Sequence, residues 1–229
     1  MEIIILAGGF GTRLRALGLD VPKPMAPIGA AGVPFLQILL DSVLRYGVNH
    51  IVLAVGYKSD VIREYFQDSY HGTPITYSVE DTPLLTGGAV KQALRTCAEK
   101  DIFVINGDTY FDVNLSEMMH FHRAMAADVT VAVKEMKYFS RYGTVHLGDA
   151  RITAFEEKKP MESGLINGGI YCMRRDALDA IESKSFSFEK DFMEKFVMQK
   201  KIFAFASCGD FIDIGIPSDY NAAQTMTFS

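Results

Sequence analysis

The sequence predicts an α/β protein built on a doubly wound, mostly parallel sheet, with a small mixed-sheet region in its second half. Two observations predict it. Short apolar runs alternate with segments of helical periodicity down to about residue 133, the pattern of consecutive βαβ units. Between residues 142 and 171 the alternation gives way to short β-like stretches separated by turn residues, as an inserted or appended mixed-sheet region would produce. A chain of 229 residues can bury a large core as one unit, so a single domain over residues 1–229 is expected.

The elements follow from the same patterns. The apolar run 3–7 is the first strand and ends in glycines; 35–46 has helical spacing, 51–55 is again a short apolar run, and 61–66 is helical. A strand at 75–79, a helix opening near Gly88, a strand at 102–105, a helix over 115–124 and a strand at 129–133 continue the alternation. Strands at 144–147, 152–156 and 168–171 form the mixed region, and a helix at 188–197, strands at 202–206 and 211–214 and a helix after Pro217 close the chain. Ligands of such sheets sit outside the carboxyl ends of the strands, so candidate chemistry is sought there.

Composition narrows the function. With 48% hydrophobic and 22% charged residues the chain matches an ordinary globular protein and excludes a disordered or fibrous one. The net charge is -5 and no basic run exceeds Lys200-Lys201, which excludes a nucleic-acid footprint and favours a small-molecule substrate. The apolar N-terminal run is too short for a membrane span or signal peptide, so a cytoplasmic protein without membrane partners is expected. Cys97, Cys172 and Cys208 are odd in number and widely spaced; they are expected as reduced packing residues. The five histidines, His120 and His122 among them, share no ligand spacing and are expected on helix surfaces without chemistry.

The first strand runs into Leu6-Ala7-Gly8-Gly9-Phe10-Gly11-Thr12-Arg13-Leu14. Glycines at that point let backbone N–H groups approach a phosphate. Leu14 stands where a dinucleotide fingerprint needs Gly or Ala, and no Gly-Lys-Ser/Thr follows, so neither a nicotinamide site nor a Walker A loop fits. The strand at 102–105 delivers Asp108 to the ligand edge of the sheet, and Asp213 lies among apolar neighbours, costly for a carboxylate without a cation or donors.

Together with Pro22-Lys23-Pro24-Met25, the glycine-rich segment resembles the signature of sugar nucleotidyltransferases, and the resemblance extends over nearly the whole chain. It implies a Rossmann-like nucleotidyltransferase fold without a β-helix domain, the part to about residue 135 binding nucleotide and the part from about 136 binding sugar phosphate. Leu6, Ala7, Gly8, Gly9, Gly11 and Thr12 would bind nucleotide, Arg13 the triphosphate, and Lys23 would stand by the α-phosphate. Asp108 would act in catalysis and, with Asp213, hold Mg²⁺, a hard cation that binds through one or two carboxylates plus substrate phosphates. The reaction implied is transfer of a nucleoside monophosphate from a triphosphate to a sugar 1-phosphate with release of pyrophosphate. A catalytically silent nucleotide-sugar sensor or regulatory subunit is the alternative of another class; the joint presence of Arg13, Lys23, Asp108 and Asp213 speaks for the enzyme.

The segment 80–89 resembles the family's base-reading loop, with Glu80 followed by Pro83-Leu84 and Thr86-Gly87-Gly88; its glycines would admit the base edge. A carboxylate accepts two donors at once, and guanine presents N1–H beside an exocyclic amine, so Glu80 favours GTP. Leu85 stands where relatives mostly have Gly; it keeps the amide but adds a side chain to the base site. By resemblance Lys158 would bind the sugar's phosphate, Glu157 and Asn167 its hydroxyls, and Gly143 would let backbone approach the ring. Oligomeric state has no sequence signal, and a homo-oligomer stays open.

Overall fold

The computed structural model describes residues 1–9, 18, 20–156 and 158–228. In chain order the strands are β1 (Glu2–Leu6), the hairpin β2 (Pro27–Ile28) and β3 (Val33–Pro34), β4 (His50–Val55), β5 (Ser69–Tyr70), β6 (Thr73–Val79), β7 (Asp101–Asn106), β8 (Thr109–Phe111), β9 (Val129–Phe139), β10 (Thr144–Gly148), β11 (Arg151–Glu156), β12 (Met161–Arg174), β13 (Ile202–Ala206) and β14 (Phe211–Asp213). The helices are α1 (Phe35–Leu44), α2 (Ser59–Phe66), α3 (Leu85–Ala93), α4 (Leu115–Ala124) and α5 (Pro217–Ala223), with a π-helical segment at Phe188–Glu194.

Among the described residues ten strands form one sheet in the order β10-β11-β13-β9-β12-β7-β1-β4-β6-β5. β1 pairs in parallel with β4 (Ile3↔Ile51) and β7 (Ile3↔Phe103), and β4 with β6. β12 runs antiparallel between β7 and β9. The stretch expected as an inserted or appended mixed-sheet region is continuous with the main sheet, through β12. The pairings also form a closed circuit: β9 to β12, β12 to β10, β10 to β11, β11 to β13 and β13 back to β9.

Successive side chains of a strand face opposite sides, and here both sides are covered. Ile3, Ile5, Ile51, Leu53 and Phe103 pack with Leu36 and Leu40 of α1 and Met118 of α4. Ile4, Val52, Val104 and Val131 pack with Val90 of α3 and with Phe188 and Phe192. Burial on both faces is why these strands read as continuous apolar runs.

Three expectations are corrected. β9 and β12 extend to 139 and back to 161; their added residues are mostly partly or fully exposed, Gly164 stands among them, and β12 shifts register between Asn167 and Tyr171. His122 is not a surface residue: it is 1% exposed on the inward face of α4, its Nδ1 2.9 Å from Thr130 Oγ1, and burial holds its pKa below the ordinary imidazole value. Cys97 and Cys172 are buried as expected, whereas Cys208, in the loop after β13, is exposed. No helix among the described residues is long and apolar enough to cross a membrane.

Candidate active site

The site lies at the carboxyl ends of β1 and β7. Gly107 N donates to Leu6 O at 3.0 Å, and a Cβ on Gly107 would meet that oxygen at 2.5 Å, so only glycine lets the chain leave β7 there and present Asp108. Lys23, at the head of a 3-10 turn over Lys23–Met25, places Nζ 2.5 Å from Asp108 Oδ2. Asp213 arrives on β14, opposite Thr109 of β8, and its Oδ1 accepts from Gly215 N at 2.7 Å. Burial, then the neighbouring Asp108 charge, pushes the Asp213 carboxyl up; Lys23, the Gly215 amide and Arg141 pull it down. Arg141 Nη2 reaches Asp219 Oδ2 at 2.6 Å and Asp213 Oδ2 at 3.8 Å.

Two clefts meet here. One, of about 340 Å³, is lined by Leu6, Gly8, Gly9, Glu80, Leu85 and Thr86 together with Lys23. The other, of about 350 Å³, is lined by Gly143, Lys158, Asn167, Tyr171, Glu189 and Asp213. Asn106 and Asp108 line both, so molecules in the two clefts would touch at Asp108. The half-buried Asp108 and Asp213 carboxylates, whose charges repel, form a donor set that a hard divalent cation would relieve. Among the described residues no cluster of three or more His, Cys, Asp or Glu could hold a metal, so a cation on Asp108 and Asp213 would draw further oxygens from substrate phosphates and water.

In the first cleft Glu80 Oε2 accepts from Leu84 N at 2.9 Å, and a Cβ on Gly8 would stand 2.8 Å from Glu80 Oε1. Gly8 thus makes room for the Glu80 carboxylate, while Gly9 faces open space. Thr86 Oγ1 donates to Glu189 Oε2 and accepts from Phe188 N, both at 2.9 Å. Gly87 and Gly88 line neither cleft: their N–H groups donate to Phe186 O, and Cβ atoms there would strike the Phe186 ring at 2.3 Å and Lys184 O at 2.2 Å. Their smallness seats the segment 184–188 on α3. Ala7 is fully buried, its N–H donating to Ala54 O at 2.8 Å. Gly11, Thr12, Arg13 and Glu157 lie outside the described residues.

In the second cleft Asn167 Nδ2 donates to Tyr171 Oη at 2.8 Å and its Oδ1 accepts from Gly169 N at 3.0 Å; Lys158 is exposed at the rim. Sequence reasoning missed Glu189, Tyr171 and Arg141. Ser187, whose hydroxyl accepts from Lys190 N as a helix cap, was a local signal for the segment carrying Glu189, but its contact with Thr86, 103 residues away, had none.

A family model described as nucleotidyl transferase matches residues 2–228. The chain is 47% identical over 225 residues to the D-glycero-alpha-D-manno-heptose 1-phosphate guanylyltransferase of Aneurinibacillus thermoaerophilus, covering 98% of this chain and 97% of the relative. It is 36% identical to the mannose-1-phosphate guanyltransferase of Schizosaccharomyces pombe, covering 100% of this chain and 65% of that protein. The crystal structure of HddC from Yersinia pseudotuberculosis complexed with GMP-PN superimposes with a TM-score of 0.87 at 35% identity, covering 97% of both chains. A glycine-rich strand end, a lysine–aspartate pair and a second, half-buried aspartate thus stand within a match that runs nearly end to end, and the chain belongs to the nucleotidyl transferase family.

Proposed function

We propose that this enzyme transfers GMP from GTP to a sugar 1-phosphate, D-glycero-α-D-manno-heptose 1-phosphate first among candidates, forming the GDP-sugar and pyrophosphate in the cytoplasm for bacterial surface polysaccharide. The observation that carries the reading is the meeting of two clefts at Asp108, with Lys23 on one side and Asp213 on the other. The 47% identical heptose-phosphate guanylyltransferase supports the substrate pair.

The nucleotide would lie in the first cleft over Gly8 and Gly9, with the base edge at Glu80 and, by resemblance, Gly11, Thr12 and Arg13 along the phosphates. The sugar phosphate would lie in the second cleft, held by Lys158, with Asn167, Glu157 and the Gly143 backbone toward the ring. A phosphate oxygen of the sugar attacks the α-phosphorus in line, the bond to the bridging oxygen breaks, and pyrophosphate leaves. That oxygen is already anionic, so the protein need not remove a proton. Lys23 exchanges Asp108 for the α-phosphate, where charge develops; such positioning and charge neutralisation supply most of the rate in phosphoryl-type transfers. Asp108 and Asp213 would hold Mg²⁺, which when bound neutralises charge on both substrates' phosphates.

The test is pyrophosphate release with GTP, ATP, CTP and UTP against heptose and mannose 1-phosphates, with Mg²⁺ present. GTP with the heptose phosphate is expected to be fastest. A faster reaction with mannose 1-phosphate would move the substrate to that of the yeast relative, and no release from any pair would refute the enzyme reading.

A further inference from the structure

We propose that Glu189 is a specificity-determining residue of the second cleft that accepts a hydroxyl of the sugar ring. The proposal rests on the reading of that cleft as the sugar site. Glu189 lines the cleft from the π-helical segment. Its Oε2 accepts from Thr86 Oγ1 at 2.9 Å and from Ser187 Oγ at 3.2 Å. The Tyr171 hydroxyl, whose oxygen accepts from Asn167 at 2.8 Å, lines the same cleft. Two elements, α3 and the cap of the π-helical segment, therefore fix one carboxylate in the cleft wall.

A carboxylate accepts at about four lone-pair positions, so the two protein hydroxyls on Oε2 leave capacity for a further donor. A phosphate offers no donor and repels the charge, whereas a pyranose presents hydroxyl donors. Lys158 would hold the phosphate, and Glu189 would face the ring. A carboxylate locked in advance costs little to order when the sugar arrives, which makes it a discriminating contact. The Thr86–Glu189 bond also ties the walls of the two clefts together, and the experiment separates a sugar contact from a strut.

The assay measures steady-state kinetics of the wild type and Glu189→Gln with GTP and the heptose 1-phosphate, then with that sugar's monodeoxy analogues. Gln keeps an acceptor for Thr86 but loses the second oxygen. The expected result is a sugar-phosphate KM raised about tenfold while the GTP KM stays within about twofold. One monodeoxy analogue should lose about tenfold on the wild type and nothing further on the variant. Unchanged sugar KM, or both KM values rising together with a lower Tm, would leave Glu189 a strut and overturn the proposal. If the variant does not fold, the wild-type panel decides: no single hydroxyl worth more than about threefold would overturn it. Absence of wild-type turnover with the parent sugar would refute the sugar-site reading itself, a separate failure.

Discussion

Leu85 stands at φ +59° and is 57% exposed, on the wall of the first cleft at the start of α3. The left-handed region costs a residue with a Cβ about 1–2 kcal/mol, and backbone strain of this kind collects at functional sites. Two substitutions isolate it. Leu85→Ala removes the side chain beyond Cβ but keeps the penalty; Leu85→Gly removes both, at about 0.4–1 kcal/mol of added freedom in the unfolded chain. The difference leaves glycine the more stable variant by about 1 kcal/mol, or about 2–4 °C in Tm for a chain of this size. Whatever the lost leucine side chain contributes cancels between the two. Thermal unfolding of both proteins without ligand is the assay. An alanine variant as stable as the glycine variant would refute the strain at residue 85.

Four further outcomes are expected. Asp108→Asn and Asp213→Asn should each lower turnover at least about a hundredfold while the protein stays folded, since each removes a carboxylate from the proposed metal pair; near-normal Mg²⁺-dependent turnover in both would refute that pair. Lys23→Ala should reduce kcat more than it raises the GTP KM, because its charge acts where charge develops in the transition state; an unchanged kcat would make it a ground-state contact. Glu80→Gln should narrow the preference for GTP over UTP by about 1–3 kcal/mol, as the amide turns a donor toward one of guanine's donors; competing-substrate kinetics check it. Burial depresses His122 below its unfolded value, so the unfolded chain binds the extra proton first and stability falls as pH drops below about 6.5. His122→Gln, with Asp101, Arg123, Asp128 and Arg174 left around it, should flatten that part of the stability–pH profile.

Where burial covers both faces of a strand, the sequence was transparent: β1, β4 and β7 are nearly unbroken apolar runs within a residue of their observed bounds. Strands with a polar face were foreshortened. The outer half of β9 carries Lys134, Glu135, Met136 and Lys137, and its partner in β12 is interrupted by Gly164 and Gly168, which make room for the Thr144 methyl and the Phe111 ring, both far away in sequence. The same limit governed the site. Asp108 was legible because a strand points at it, and Asp213 because an acid among apolar residues needs an explanation. Gly87 and Gly88 were read as room for a base because nothing local reveals that Phe186 and Lys184 fill that space. His122 looked like a surface residue because its partner Thr130 is on another element.

The closed circuit of β9, β12, β10, β11 and β13 leaves that end of the sheet without a free border. At the opposite end the last strand is β5, two residues long. Unpaired strand borders are where chains zip together into extended sheets and aggregates. Among the described residues of this sheet such a template is confined to β5 and the stretch of β6 beyond Pro74 that β5 does not cover, so any sharing of backbone hydrogen bonds between copies is restricted to that one border.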